Sequence, residues 1–357
     1  MKDNTNNRID LGTDARTEPT EAMWDAMREV ELSAVPFRGQ EAMRKLLDKA
    51  AELTGQSSAL LLPSCTMANL IAVMVHAGRG DHVILEESSH IAWSEGWGIS
   101  SIAGVHPRLV QGERGRLRLE DIEAAVGETR FTHRPRTGLL CLENSHNASG
   151  GAVLPPEYTN AVCAAMKERG IPVHLDGSRI VNAAAALDVP MRLLTERFDS
   201  VALNLNKSLC VPEGALLCGS GAFVQQASLI ARSLGGGSMH KVERIAAAAL
   251  VALDEIPRTL ADDHRRARAF ALLLQGIPGI RVDLGDVQTN IVMADLTGAR
   301  LGAEEAVVRL NRLGVAAYPY QGSLIRFVFH RQIGDADVVT AAERMAQVVA
   351  GSRGAER

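Results

Sequence analysis

Two charged residues, Asp176 and Lys207, have the types and positions needed for chemistry with an aldehyde. Each follows a short apolar run that predicts a buried strand, residues 173–175 for the aspartate and 201–205 for the lysine. We therefore expect both just beyond the carboxyl ends of strands, where ligands bind in open α/β sheets. A lysine there can form a Schiff base with an aldehyde, and a buried aspartate can keep a pyridine nitrogen protonated. The alternative is a strand-end acid and a solvated lysine.

Three other loops that follow predicted strands carry groups suited to phosphate or to a flat ring. Residues 63–66 precede a helix, whose first amides can donate to a phosphate. Residues 87–90 and 143–147 each place a histidine in a polar loop, and a histidine can stack on a ring or transfer protons. Taken alone, each loop has a simpler alternative, namely helix capping or structural hydrogen bonding. Together, the strand ends predict a site for one phosphorylated aldehyde, pyridoxal phosphate.

The elements that must position these residues alternate along the chain. Strands are predicted at 59–62, 82–85, 138–142, 173–175, 201–205 and 215–218, and helices at 67–76, 120–126, 156–168 and 179–187. This alternation predicts an α/β fold with a mostly parallel sheet and helices on both faces. A different pattern follows, with strands at 290–294, 315–318 and 324–328 and helices at 303–313 and 335–349. We expect an N-terminal arm (1–18), a large domain (19–257) and a small C-terminal α+β domain (258–357).

Composition narrows the class of protein and its partners. The 357 residues, of which 46% are hydrophobic and 22% charged, suggest about two domains at ~150 residues each. A net charge of −4 with scattered basic residues is not typical of proteins that bind nucleic acid or anionic membranes. The polar N-terminus and the lack of a run of ~20 apolar residues predict a cytoplasmic protein. Its five cysteines show no CxxC spacing, which predicts reduced core thiols and no metal site.

Ordered motifs resemble those of the fold-type I, pyridoxal phosphate-dependent threonine aldolases and β-eliminating lyases, in particular the low-specificity L-threonine aldolases. The matching pieces are Ile9-Asp10-Leu11 with Thr13-Asp14, Pro19-Thr20 with Met23, Ser64-Cys65-Thr66-Met67-Ala68-Asn69, Ser89-His90, Leu142-Glu143-Asn144-Ser145-His146-Asn147, His174-Leu175-Asp176-Gly177-Ser178-Arg179, Asn206-Lys207-Ser208, Leu234-Gly235-Gly236-Gly237, and Ile325-Arg326-Phe327-Val328 with His330. They cover the chain from Ile9 to about Val349. The resemblance implies a large domain with a mostly parallel seven-stranded sheet and a smaller C-terminal α+β domain.

The resemblance also implies how the cofactor is held. Lys207 would bind it as a Schiff base, Asp176 would pair with its pyridine nitrogen, and Arg179 would lie near its phenolic oxygen. The remaining cofactor contacts would be Cys65, Thr66 and Arg232 at the phosphate and His90 stacked on the ring.

For the substrate, the resemblance implies that Thr13 and Arg326 clamp the amino-acid carboxylate and that His146 handles the β-hydroxyl group. Arg179 and Phe37 complete the expected substrate contacts. Phe37 stands where the family usually has a tyrosine from a neighbouring subunit. Two other departures are Ser94, at a position that is usually aromatic, and Met239, where an arginine contacts phosphate in the family. Apart from Met239, the expected cofactor residues therefore match the family pattern, whereas the substrate pocket differs from it.

We predict a pyridoxal phosphate-dependent lyase that cleaves a β-hydroxy-α-amino acid of the L-threonine or L-allo-threonine type to glycine and an aldehyde. Its catalytic residues would be Lys207, Asp176, His90 and His146. A β-eliminating lyase, or a transaldolase or synthase acting on another β-substituted amino acid, is the alternative within this cofactor class. A non-catalytic cofactor-binding protein is the alternative outside it. The family pattern also implies a homo-oligomer, a dimer or dimer of dimers, whose active sites are shared between subunits.

Overall fold

The computed structural model describes residues 8–30, 41–126 and 135–354. Contacts divide the chain into two compact units. The large unit contains residues 18–149 and 153–257, and the small unit contains residues 1–17, 150–152 and 258–357. Within the described ranges, no helix combines the length and apolar character needed to cross a membrane.

The strands form a seven-stranded, a three-stranded and a two-stranded sheet. In chain order they are β1 (Ile9–Asp10), β2 (Ser58–Leu62), β3 (His82–Glu86), β4 (His106–Val110), β5 (Thr137–Glu143), β6 (Val173–Gly177), β7 (Ser200–Asn204), β8 (Ala215–Gly219), β9 (Ile291–Asp295), β10 (Val315–Ala316), β11 (Tyr318–Gln321) and β12 (Leu324–Val328).

The helices fall mostly between the strands. They are α1 (Glu21–Glu29), α2 (Glu41–Thr54), α3 (Cys65–His76), α4 (His90–Trp93), α5 (Gly98–Ser101), α6 (Leu119–Val126), α7 (Pro156–Glu168), α8 (Ile180–Leu187), α9 (Met191–Thr195), α10 (Gly221–Ser233), α11 (Val242–Glu255), α12 (Leu260–Gln275), α13 (Ala303–Arg312) and α14 (Asp335–Gly354). Short 3-10 turns occur at Asp14–Arg16, Gly236–Ser238, Ile256–Arg258 and Thr297–Ala299.

The large unit is built on a seven-stranded sheet in the order β2-β8-β7-β6-β5-β3-β4. Strand β8 runs antiparallel to both of its neighbours, and the other pairs are parallel. The predicted mostly parallel seven-stranded sheet is therefore confirmed. Because β3, β5, β6 and β7 run in the same direction, the loops that follow them leave from one edge of the sheet.

The burial of each strand explains whether the sequence predicts it. Strands β6, β7 and β8 are buried at every position, which is typical of strands covered on both faces and which gives continuous apolar runs. Strand β4 was not predicted. It lies at the edge of the sheet, has no fully buried residue, and contains Pro107 and Arg108 instead of an apolar run.

In the small unit, β11, β12 and β9 form a three-stranded antiparallel sheet. Its core includes Phe270, Phe327 and Phe329, with the ring of Phe270 centred 4.9 Å from that of Phe327 and 5.4 Å from that of Phe329. The predicted strand at 315–318 is instead two short strands, β10 and β11. Strand β1 was also missed, because a two-residue strand in a polar arm is defined only by its parallel pairing with β10.

Candidate active site

Asp176 is a buried carboxylate at the centre of the large sheet. It is the fourth of the five residues of β6 and so lies inside the strand, whereas the apolar run predicted a position just beyond it. Asn69 Nδ2 donates to its Oδ2 at 3.0 Å, and the amide of Ser178 donates to its Oδ1 at 3.1 Å. Burial alone would raise the pKa of Asp176, but the charges of His90 and Lys207 and the Ser178 bond hold it below its ordinary value.

Lys207 lies in the turn that follows β7 and is half-buried. The turn is closed by the amide of Cys210, which donates to the carbonyl of Lys207 at 2.9 Å. Cys210 has a φ of 60°, in the left-handed region that favours glycine. Strand β7 is the parallel neighbour of β6, so Lys207 and Asp176 belong to the same edge of the sheet, and the charge of Lys207 helps to lower the pKa of Asp176. The structure thus brings these two predicted groups together.

His90 and Glu95 lie beside Asp176. His90 Nδ1 is 3.1 Å from Glu95 Oε1, and ligand atoms of His90, Glu95 and Asp176 lie within 4.8 Å of one another. Burial alone would lower the pKa of His90, but the contact with Glu95 and the nearby carboxylates raise it above its ordinary value. Burial also raises the pKa of Glu95. These three groups form a compact charged cluster next to Lys207.

The first turn of α3 combines capping with a position near Asp176. Ser64 caps the helix, since its Oγ accepts from the amide of Met67 at 3.2 Å, so the simple interpretation of Ser64 is correct. Cys65 is buried, and its Sγ lies 3.9 Å from Asp176 Oδ1. Burial raises the pKa of Cys65, so the thiol stays neutral. Thr66 is exposed at the start of the helix.

The glycine run after α10 packs against this first turn of α3. A Cβ atom on Gly236 would lie 2.2 Å from Met67 Sδ, and one on Gly237 would lie 2.9 Å from the backbone of Arg232. Glycine is therefore required for the close approach of this loop. Arg232 itself lies in the last turn of α10, where its side chain is exposed.

His146 is fully buried between two carboxylates. Its Nε2 lies 3.1 Å from Glu86 Oε2 and 3.8 Å from Glu143 Oε2, and its Nδ1 lies 2.9 Å from Ser149 Oγ. The contact with Glu86 lacks hydrogen-bond alignment and is best described as an ion pair. Burial alone would lower the pKa of His146, but Glu143 and Glu86 raise it above its ordinary value. The partners therefore favour the imidazolium form.

Arg179 follows Asp176 in the loop between β6 and α8. It is 4% exposed, and its Nη1 donates to Asn147 Oδ1 at 3.1 Å. Asn147 in turn belongs to the loop after β5, where its amide donates to Glu143 Oε1 at 2.8 Å. Two of the predicted strand-end loops are thus joined through Arg179.

Two predicted substrate contacts, Thr13 and Arg326, belong to the small unit. Thr13 Oγ1 accepts from the amide of Ala15 at 3.1 Å. Arg326 is 9% exposed, and its Cζ lies 4.7 Å from the centre of the Tyr318 ring, a cation–π distance. The segment before Thr13 is bonded to the end of β12, because Val328 N–H donates to the carbonyl of Leu11 at 2.8 Å.

The three departures from the family pattern are placed differently. Phe37 lies outside the described residues. Ser94 is exposed at the end of α4, and Met239 is half-buried after the 3-10 turn Gly236–Ser238.

Sequence reasoning missed Asn69, Glu86 and Glu95, which contact predicted groups, and His174, which contacts Asn69. Asn69 and His174 had a usable signal, since each is a polar residue within an apolar run, and buried polar groups need partners. Glu86 and Glu95 had none, because carboxylates in loops and at strand ends are usually solvated.

Comparisons with known proteins agree with this architecture. Residues 10–297 match the sequence model of the beta-eliminating lyase family. Low-specificity L-threonine aldolase 1 of Arabidopsis thaliana is 41% identical over 334 residues, which cover 92% of this chain and 93% of the relative. The low specificity L-threonine aldolase of Escherichia coli (strain K12) is 29% identical over 343 residues, 96% of this chain and 97% of the relative.

The fold has a counterpart among solved structures. A threonine aldolase from Leishmania major superposes with a TM-score of 0.81 at 19% identity, covering 96% of this chain and 99% of that one. At this identity, the superposition shows a shared fold. The family match and the 41% identity together show more: the chain belongs to the beta-eliminating lyase family, among the relatives of the low-specificity L-threonine aldolases.

Proposed function

We propose that this protein is a pyridoxal phosphate-dependent aldehyde-lyase that cleaves a β-hydroxy-α-amino acid, of the L-threonine or L-allo-threonine type, to glycine and an aldehyde. One observation carries the proposal: the buried Asp176 near the end of β6, and Lys207 in the turn after the neighbouring parallel strand β7, belong to the same edge of the sheet. Relatives named as low-specificity L-threonine aldolases match over nearly the whole chain and support the same activity.

The residues at the sheet edge suit this cofactor. A pyridine nitrogen keeps its proton beside a carboxylate that stays ionised, as Asp176 does. The amine of Lys207 would hold the aldehyde covalently. The phosphate would meet the first amides of α3 at Cys65 and Thr66, where a helix N-terminus favours an anion. When bound, pyridoxal phosphate supplies a ring that accepts the electron pair released as the Cα–Cβ bond breaks.

Three further cofactor contacts are proposed from the family pattern. His90 would cover one face of the ring, and Arg179 would lie near the phenolic oxygen, held in place by Asn147. Arg232 would contact the phosphate, since its backbone packs against the same glycine run that approaches α3.

Thr13 and Arg326 are the proposed ligands of the substrate carboxylate, together with Arg179. The planar guanidinium of an arginine can bind a carboxylate through two parallel hydrogen bonds, which fixes the orientation of the amino acid. Phe37 is the remaining proposed substrate contact. Arg326→Lys should raise the KM for L-threonine about tenfold or more, because lysine cannot make the paired bonds.

The geometry favours His90 over His146 as the group that receives the β-hydroxyl proton. Both ring nitrogens of His146 lie against protein groups and its side chain is fully buried, whereas the side chain of His90 is 27% exposed. In His90, Nδ1 faces Glu95, which leaves Nε2 as the atom that can accept the proton, directly or through water. His146 would then act by keeping the loop after β5 in place.

The direct test is to incubate the purified protein and pyridoxal phosphate with L-threonine, L-allo-threonine and L-phenylserine. We expect glycine and the matching aldehyde in equal amounts. A visible absorption band should disappear on borohydride reduction and be missing in Lys207→Ala, whose activity should fall at least about 10³-fold. Release of no glycine from any of the three substrates would contradict the proposal.

β-Elimination is the second candidate, and the family match to beta-eliminating lyases favours testing it. It would release ammonia and a keto acid in place of glycine and an aldehyde. Measuring all four products from the same reactions separates the two activities. Transfer of the glycine unit to another aldehyde would show as a new β-hydroxy amino acid when that aldehyde is added.

We further propose a cytoplasmic homo-oligomer, a dimer or dimer of dimers, built from subunits with a large cofactor-binding domain (19–257), a small domain (258–357) and an N-terminal arm (1–18). Sedimentation velocity across a range of concentrations would measure the assembly. A monomer at all concentrations would contradict this part of the proposal.

A further inference from the structure

A line of buried polar side chains extends from Asp176 into the core of the large unit. Asn69, His174 and Ser200 are all fully buried, and His76 is half-buried at the end of α3. The links are short: Asn69 Oδ1 to His174 Nε2 is 3.0 Å, His174 Nδ1 to Ser200 Oγ is 2.8 Å, and Ser200 Oγ to His76 Nε2 is 2.9 Å.

Secondary structure explains why these groups meet. Strands β6 and β7 pair in a register that sets His174 opposite Ser200. Asn69 and His76 lie seven residues, about two turns, apart on α3, so both face this part of the sheet. His76 is also fixed by stacking on Phe223, with ring centres 4.8 Å apart.

The two carboxylates at the Asp176 end of the line set the direction of every hydrogen bond in it. Asn69 Nδ2 donates to two carboxylates, to Asp176 Oδ2 at 3.0 Å and to Glu95 Oε1 at 2.8 Å. Its Oδ1 can only accept, so His174 must carry its proton on Nε2. A neutral His174 then accepts at Nδ1 from the Ser200 hydroxyl, and that hydroxyl oxygen accepts from His76 Nε2–H. All donors therefore point toward Asp176.

Both histidines of this line are held neutral. Burial lowers the pKa of His174 to about 3 and that of His76 to about 4. The line thus brings hydrogen-bond donors to Asp176 without adding a positive charge. Hydrogen bonds that run in one direction polarise one another, which strengthens the last bond of the series.

We propose that Asn69 and His174 are positioning residues that fix the Asp176 carboxylate, in its ionised form, for the pyridine nitrogen of the cofactor. The Asn69 side-chain amide donates one N–H to Asp176 and the other to Glu95, and so fixes the distance between these two carboxyl groups. His174 fixes which way the Asn69 amide faces. This inference rests on the proposed function, since it assigns Asp176 to the cofactor ring.

The first test needs neither cofactor nor substrate. In the cofactor-free protein labelled with ¹⁵N-histidine, His174 and His76 should give the neutral, Nε2-protonated tautomer at pH 7, with slowly exchanging ring N–H signals. In Asn69→Leu, the ring N–H of His174 should lose this protection. A doubly protonated or Nδ1-protonated His174 would overturn the proposal, because the Asn69 amide would then face the other way.

The second test measures cofactor affinity by equilibrium dialysis. Loss of a hydrogen bond to a charged group corresponds to about a 10- to 100-fold effect. We expect the Kd for pyridoxal phosphate to rise about 100-fold in Asn69→Leu and about tenfold in His174→Phe. His174→Gln keeps a donor and should recover most of the affinity. His264→Phe, a histidine replacement in α12 of the small unit, is the control and should leave the Kd unchanged.

The third test reads the protonation of the cofactor ring. With pyridoxal phosphate labelled at its ring nitrogen, ¹⁵N NMR should show loss of the ring proton at a pH about one unit lower in His174→Phe than in the parent, as expected from a weaker carboxylate partner. If His174→Phe does not fold, Ser200→Ala breaks the same line one link further away and should give a shift of the same sign. An unchanged Kd and an unchanged ring titration would overturn the inference.

The outcomes also separate this inference from the proposed function. A protein that shows the predicted tautomers and Kd changes but releases no glycine would refute the proposed reaction and support the positioning role. If the protein releases glycine, but Asn69→Leu and His174→Phe keep the cofactor affinity and ring titration of the parent, the proposed reaction would be supported and the positioning role refuted.

Discussion

Two fully buried histidines of the large unit, His146 and His174, have pKa values that are shifted in opposite directions. Both side chains are 0% exposed, and they lie in or next to the adjacent strands β5 and β6. Burial pushes both toward the neutral form. The pKa of His174 falls to about 3, whereas that of His146 rises above its ordinary value. Burial by itself therefore does not decide the charge of a histidine.

The difference comes from the partners of each ring. His146 lies between the carboxylates of Glu86 and Glu143, and His174 lies between a neutral amide and a neutral hydroxyl. A carboxylate nearby favours the charged ring, and neutral partners leave the cost of burial in control. His146 therefore belongs to a charged part of the sheet edge. His174 belongs to the line of uncharged side chains that leads to Asp176.

The largest effect should follow from Glu86→Gln. The change removes one charge from a buried ion pair and should lower the free energy of unfolding by about 3 kcal/mol. The pKa of His146 should fall, because burial lowers it and only the charge of Glu143 would remain of the two neighbouring carboxylates that raise it. Urea unfolding at pH 7 and an NMR titration of His146 measure the two effects. Glu87→Gln, at an exposed neighbouring position, is the matched control, and an unaltered His146 titration would contradict our account.

Gly115→Ala should disturb the same region by steric means. A Cβ atom there would lie 2.5 Å from His146 Cγ, and the backbone has a φ of 77°. We expect a loss of about 2 kcal/mol from overpacking and backbone strain together. Gly80→Ala isolates the backbone part, since Gly80 has a φ of 87° and open space around the Cβ position. Equal losses in the two variants would show that the loop does not press on His146.

The two histidines should affect the pH dependence of stability with opposite sign. His174 has a lowered pKa, so the unfolded chain binds the extra proton, and stability falls as the pH drops from about 6.5 toward 3. His146 has a raised pKa, so its contribution is complete below about 6.5 and is lost as the pH rises through its folded value. Each slope is limited to about 1.4 kcal/mol per pH unit.

Urea unfolding of the parent, His174→Gln and His146→Gln over this pH range tests that prediction. Relative to the parent, His174→Gln should lose less stability on acidification, and His146→Gln should lose less on going to alkaline pH. Differences of the same sign in both variants would remove the contrast between the two sites.

The smallest effect should come from Ser200→Ala. The change removes the hydroxyl between His174 and His76 and should cost about 1 kcal/mol, the usual value for one neutral hydrogen bond. The pKa of His174 should stay low, because no charge has been removed. Ser57→Ala, at an exposed position, is the control in the same unfolding assay. A rise in the pKa of His174 toward its ordinary value would show that neutral partners also control its charge.

The sequence predicted the groups that meet at the sheet edge better than it predicted their supports. Asp176 and Lys207 follow apolar runs, and such runs reveal strands that are buried on both faces. Glu95 and Glu86 gave no comparable signal, since the sequence does not show that a loop carboxylate will be buried against a histidine. His146 illustrates the limit most clearly. Its loop, which includes Glu143, was predicted, but its enclosure by Glu86 and Gly115 depends on two segments distant in sequence.

The sequence by itself determined the alternating α/β order, the mostly parallel sheet and the strand-end segments that carry Cys65, His90, Asp176 and Lys207. These features depend on local apolar periodicity and on motif order, both of which can be read along the chain. Only the tertiary structure decided the charge of each buried ionisable group. It also decided the pairing of β1 with β10 and of β4 with β3. Charge and edge pairing depend on neighbours brought together from remote segments, and the energy of a buried ionisable group is set by those neighbours.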